Sequence, residues 1–192
     1  MPAASKREQI VKNALALFYR DGFNATGIDK ICKQAEVSKK TLYNHFRSKD
    51  ELVLATLRMR DESFRNNFMR DAEQLEKRPK ERLLVLFDVL EAWLKQEGFF
   101  GCMFINASAE FTAQDDPIHM ISAEHKRLMR DYIRELAVVA KANNPEQLAA
   151  QLNLLLEGAI VEAHVSGNKD SAKLAKSIAI GLIENAFLPD AD

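Results

Sequence analysis

Residues 24–50, NATGIDKICKQAEVSKKTLYNHFRSKD, set two short apolar periodicities on either side of a tight turn, an arrangement that few folds accommodate. Ile28, Ile31, Cys32 and Ala35 recur at three- and four-residue spacing, which is one face of a helix. Val37 falls in the turn, Ser38 suits an N-cap, and Leu42 and Phe46 supply the buried face of a second helix. Lys39, Lys40, Thr41, Tyr43, Asn44 and His45 are left on or near the outward side. A short helix offering those groups suits the major groove of DNA. The segment is predicted to be a helix-turn-helix.

Charge agrees with that placement. The net charge of -1 hides an asymmetry. Residues 1–50 hold ten Lys/Arg against five Asp/Glu, a net of +5, and the remainder holds 17 against 23, a net of -6. A basic head on an acidic body is expected when only the head meets phosphate.

Elsewhere the chain also reads as helix. Ser5 with Glu8 forms a capping box that opens a helix to about Arg20, and Gly22 ends it. Thr26, with Asp29 three residues on, is expected to cap the second helix, and Ser48 with Glu51 forms a further capping box. The helix after Ser48 runs to about Lys77 before Pro79, roughly 40 Å at about 1.5 Å per residue. Further helices are expected over Pro79–Gln96, Phe104–Ala113, Pro117–Lys141, Pro145 to about Gly167, and Ser171–Phe187. Strand alternation, internal repeats and a Gly-rich phosphate loop are not found. The predicted fold class is all-α: an N-terminal three-helix helix-turn-helix domain over residues 1–48, and a C-terminal helical ligand-sensing and dimerisation domain over 49–192.

Phe18, Gly22, Phe23, Thr26, Ile31, Ala35, Val37, Ser38, Thr41, Leu42, Tyr43, His45, Phe46, Lys49 and Leu52 stand in a pattern that resembles the tetracycline-repressor (TetR) family. The match covers about the first quarter of the chain and implies a DNA-binding regulator. By that resemblance Thr26, Tyr43, His45 and Lys49 are expected to contact phosphate. Thr26 and Lys49 also lie at expected helix N-termini, where backbone N–H groups favour an anion. Lys39, Lys40, Thr41 and Asn44 are the candidates for base edges: lysine to guanine, asparagine to adenine, threonine to the thymine methyl. Two positions depart from the family pattern. Glu36 stands in the turn where many members have Gly, and a left-handed residue there costs on the order of 1 kcal/mol. Lys40 replaces another frequent Gly and adds a donor.

The resemblance also implies that the last two helices pair with those of a second copy as a four-helix bundle. Leu155, Leu156, Ile160, Ile178 and Leu182 are the candidate interface residues of a homodimer, with Gly158 and Gly181 permitting close approach. The body is expected to hold an apolar or amphipathic small-molecule effector. Phe68, Trp93, Phe100, Met103, Phe104, Asn106, His125 and Met129 are the candidate ligand-binding residues. Glu110, His119, Glu157 and His164 are further polar groups able to orient such a ligand. The leading reading is a repressor released from a palindromic double-stranded DNA operator by that effector. The alternative is a regulator of the same fold controlled by oxidation of Cys102 or by a protein partner.

Other classes are disfavoured. No nucleophile–base pair, metal set or cofactor loop stands out, so no enzyme, metal or cofactor is expected. His119 and His125, six apart, do not share a helix face one turn apart. No apolar run reaches the roughly 18–20 residues of a membrane helix, and the N-terminus lacks a signal-peptide core. Two cysteines make no disulfide framework, and the cytoplasm is the expected compartment.

Overall fold

A computed structural model describes residues 5–189, which contain nine α-helices and no strand. They are α1 (Lys6–Asp21), α2 (Ile28–Gln34), α3 (Lys39–His45), α4 (Lys49–Leu75), α5 (Pro79–Leu94), α6 (Met103–Glu110), α7 (Pro117–Val139), α8 (Pro145–Val165) and α9 (Ser171–Asn185). The all-α expectation holds.

Local chemistry sets most helix starts. Ser5 Oγ accepts from the Glu8 N–H, Ser38 Oγ from Thr41 and Asn144 Oδ1 from Gln147, each relieving an amide that the first turn leaves without a partner. Pro79 and Pro145 occupy first-turn positions, where a missing N–H costs nothing. Before α4, Ser48 Oγ accepts from the Glu51 N–H while the Glu51 carboxylate accepts from the Arg47 N–H. One cap differs from expectation. Gly27, not Thr26, is the N-cap of α2. Thr26 is fully buried and its hydroxyl donates 2.7 Å back to the Gly22 carbonyl, so it braces the loop behind the helix.

The chain forms two compact units. One runs to Ser63 and takes in Met103–His125; the other holds Phe64–Cys102 and the chain from Lys126 onward. Their boundaries fall inside α4, just before α6 and inside α7, whereas the boundary expected at residue 48 lies immediately before α4.

In the first unit α1, α2 and α3 pack on one another around Ile10, Ala14, Phe18, Phe23, Ile31 and Leu42, all at or near zero exposure. Phe23 stacks on Phe18 at 5.3 Å and meets the edge of Phe111 at 6.1 Å. These contacts close the head around an apolar centre.

In the second unit α5, α8 and α9 pack together. Ala149, Ala159, Ala163, Ala172, Ala175 and Ala179 are buried, and such small side chains let helix axes approach closely. The buried Ser171 hydroxyl donates 2.8 Å to the Ala159 carbonyl, tying the start of α9 to α8. Among the described residues no helix is long and apolar enough to cross a membrane.

Candidate nucleic-acid interface and sensor residues

α3 turns one side inward and one outward, as its period requires. Leu42 is fully buried, as is Phe46 at its C-cap, while Lys39, Lys40, Tyr43, Asn44 and His45 are exposed and Thr41 is half-buried. Lys40 and Asn44, four apart, share one helical face. Lys39 is held differently. Its ammonium lies 2.7 Å from Asp29 of α2, and that hydrogen bond raises its pKa. An exposed pair of this kind is worth little and exchanges readily with another anion.

The turn between α2 and α3 keeps the predicted geometry. Glu36 has φ +53°, in the left-handed region, and the Val37 N–H reaches back 3.0 Å to the Cys32 carbonyl. That bond closes the end of α2 and aims α3. Glu36 is exposed, so its charge lies in water beside the outward face of the head.

Lys49, the first residue of α4, is half-buried, and its ammonium is 3.4 Å from the Asn24 carbonyl. Thr26 offers no side chain to phosphate, because its hydroxyl is buried on Gly22. The loop that carries these groups is held from far along the chain. Glu110, at the end of α6, accepts from the Phe23 N–H at 2.9 Å and from the Asn24 N–H at 2.6 Å.

The expected ligand-binding residues separate by unit. In the first, Phe104 stacks on His125 with ring centroids 3.7 Å apart, and His125 Nδ1 lies 2.7 Å from Asp61. Met103 and Phe104 are buried, Asn106 is half-buried. In the second, Phe64 joins Phe68 and Trp93, and Trp93 meets Phe99, which meets His164. Phe64 was not singled out, although it was visible as an aromatic. Phe100 is half-buried and Met129 is buried.

Several polar groups named for a ligand are engaged by protein instead. Glu110 serves the loop amides, and His119 Nδ1 lies 2.9 Å from the Phe111 carbonyl. Glu157 pairs with Lys126 at 2.5 Å. The His164 ring packs so closely on Gly101 that a Cβ there would meet it at 2.8 Å.

Cys102 has a basic neighbour that its flanking sequence does not show. It is buried, and Lys126 of α7 donates to its sulfur at 3.3 Å. Burial pushes the Lys126 pKa down, but the charges of Cys102 and Glu157 more than offset this and hold it raised. Among the described residues no three His, Cys, Asp or Glu side chains gather in a metal-binding arrangement.

The α8–α9 pair sorts the dimer candidates. Leu156 and Ile160 are buried within the chain's own core. Leu155 is half-buried, and Leu182 lines a cleft of about 250 Å³ with Asn144, Gln147, Gln151 and Asn185. Ile178 is half-exposed, and Leu154, Val161, Val165 and Leu174 are exposed beside it in helical register. Gly158 and Gly181 lie in the same two stripes with open space where a Cβ would be. On α8 the uncovered apolar face lies one position away from the expected Leu155 and Ile160, whereas on α9 it includes the expected Ile178.

Comparison with known proteins agrees with this geometry. Residues 10–56 match the model of bacterial regulatory proteins of the tetR family, and residues 79–179 match the tetracyclin repressor-like C-terminal domain. The chain is 23% identical to the HTH-type transcriptional regulator YjdC of Escherichia coli, over 94% of this chain and 95% of that one. A solved structure from Streptomyces avermitilis, assigned to the TetR transcriptional regulators, is 31% identical, covers 97% of this chain and 100% of its own, and superposes with a TM-score of 0.85. SCO4454, a TetR-family regulator from Streptomyces coelicolor, is 25% identical, covers 94% and 95%, and gives 0.86. With both its helix-turn-helix head and its helical body matched, the chain belongs to the TetR family and is a DNA-binding transcriptional regulator.

Proposed function

We propose that this regulator is a cytoplasmic homodimeric repressor, released from a palindromic DNA operator by a small apolar or amphipathic effector. The observation that carries the DNA reading is the outward face of α3: Lys40 and Asn44 exposed on one side of a helix whose other side is anchored by Leu42. Lys40 and Asn44 present donors at the spacing of one helical turn and read base edges, while Lys49 meets phosphate. Tyr43 and His45 serve the backbone from the same exposed helix. Regulators of this family act as dimers, and the stripe of Leu154, Val161, Val165, Leu174 and Ile178 supports the same for this chain, since isolated proteins rarely leave such faces in water.

The effector reading rests on the aromatic groups. Phe104 against His125 and the Phe64–Phe68–Trp93 cluster are aromatic groupings of the kind that line small-molecule sites. An effector must favour one head arrangement over the other; a ~100-fold preference gives about 2.7 kcal/mol of coupling. Selection of bound duplexes from a random pool, repeated with candidate effectors, tests both parts. Linkage requires that saturating operator weaken effector binding by the same factor, and equal affinities with and without DNA would remove the allosteric reading.

A second mode of control is favoured by the Lys126–Cys102 contact, because reactive cysteines commonly have a cation beside the sulfur. Cys102→Ser separates the two: it leaves release by a reversible effector intact and abolishes release by thiol oxidation.

A further inference from the structure

The loop between α1 and α2 is held partly by its own bonds, such as that of Thr26 to Gly22, and partly from far along the chain. Gly22 ends α1 with its N–H on the Phe18 carbonyl, and its φ of +85° turns the chain sharply. The N–H groups of Phe23 and Asn24 both donate to α6. Glu110 takes both, one on each carboxylate oxygen, across a separation of 86 to 87 residues. Such charge-assisted bonds are short and strong, and losing the acceptor would strand the amide of Phe23, whose residue is fully buried.

One loop residue, Asn24, links that carboxylate to the DNA side through its two flanking peptides. The Asn24 N–H donates to Glu110, and the Asn24 carbonyl accepts from the Lys49 ammonium at 3.4 Å. Gly22 is fitted to the contact as well: a Cβ there would come within 3.1 Å of Glu110 Oε1. The chain of bonds therefore runs from α6, through the backbone of one loop residue, Asn24, to the first residue of α4. Asn24 is itself exposed, so the loop backbone and Lys49 are held at the surface rather than within the core.

We propose that Glu110 is a positioning residue of the DNA interface: its carboxylate fixes the Phe23–Asn24 backbone, and that backbone holds the Lys49 ammonium where phosphate is met. The inference rests on the DNA-interface reading above. A carboxylate is required, not merely a polar group. Glutamine offers one acceptor and turns an N–H₂ toward a second N–H, and aspartate is one methylene too short to serve both amides.

The test is a double-mutant cycle on the full chain, with random-sequence duplex DNA as the probe, so that no operator need be known. Glu110→Ala is made alone and together with Lys49→Ala. Alone it weakens binding about tenfold at low salt, and the slope of log affinity against log salt becomes shallower by about one per head. In the Lys49→Ala background it costs less than about twofold, because the group being positioned is gone. Glu110→Gln gives an intermediate loss and serves the same cycle if the alanine variant folds poorly. A purely structural role gives the same loss in both backgrounds with an unchanged slope, and that outcome overturns the proposal, as does wild-type affinity in Glu110→Ala. Failure of the wider reading is seen separately: a wild-type chain without salt-dependent duplex binding removes the DNA interface itself.

Discussion

The α2–α3 pair and the α8–α9 pair each leave one helical face uncovered, and the two faces are opposite in chemistry. The first presents Lys40, Tyr43, Asn44 and His45; the second presents Leu154, Val161, Val165, Leu174 and Ile178. Both are anchored by buried leucines on the reverse side, Leu42 in one and Leu152 and Leu156 in the other. The difference fits each face to the partner proposed for it. Hydrated donors lose little by waiting in water and gain when they meet phosphates and base edges. Exposed aliphatic stripes gain only by being removed from water, at about 25 cal/mol per Å².

The sharpest way to break the comparison is to place a charge on the apolar face. Ile178→Asp would bury an unpaired ion in a dimer, costing several kcal/mol, and is expected to give monomers by sedimentation and to lose specific operator binding. Leu156→Ala distinguishes the chain's own core from that interface. It should lower unfolding stability by about 2–5 kcal/mol in denaturant titration without selecting monomers among the folded molecules. A dimer that survives Ile178→Asp would show that the uncovered face is not where copies meet.

On the polar face the expected effects are smaller and specific. Asn44→Ala should cost about 1–3 kcal/mol on the selected operator and relax preference at one base pair per half-site, as read by competition with single-base variants. Lys49→Ala should instead weaken all duplexes alike. An Asn44→Ala chain with unchanged base preference would move readout to Lys39 or Lys40.

Glu36→Gly probes the turn that aims α3. Relieving a left-handed non-glycine residue should stabilise the fold by about 1 kcal/mol, raising Tm by roughly 2–4 °C in a calorimetric scan. The smallest effect is expected from Asp29→Asn, which releases Lys39 from its exposed ion pair. Duplex affinity should rise only slightly, and the gain should fade at high salt.

Features governed by neighbours within four residues were legible in the chain. The Ser5 and Ser38 caps and the proline starts of α5 and α8 appear as expected. Each follows from local sterics and from amides that a first turn cannot satisfy. Thr26 was misplaced by one residue because its hydroxyl found the Gly22 carbonyl, a competing bond that a capping pattern does not reveal.

The α8–α9 stripes show a second limit. Leu154, Leu155 and Leu156 are identical in chemistry, and period alone cannot say which of three adjacent leucines faces inward. Packing against α5 and α9 decides it, leaving Leu156 buried and Leu154 about three-quarters exposed at 74%.

By itself the sequence determined an all-helical chain with a basic helix-turn-helix head, because helix period, caps and charge are written in residues a few positions apart. Only the tertiary structure decided that Glu110 serves the Phe23 and Asn24 amides, that Lys126 stands beside Cys102, and that His125 joins Asp61 and Phe104. Those partners lie from 21 to 87 positions apart along the chain. A carboxylate, an ammonium or an imidazole accepts many partners, and folding selects the one that is brought within hydrogen-bond reach and left to satisfy a polar group removed from water.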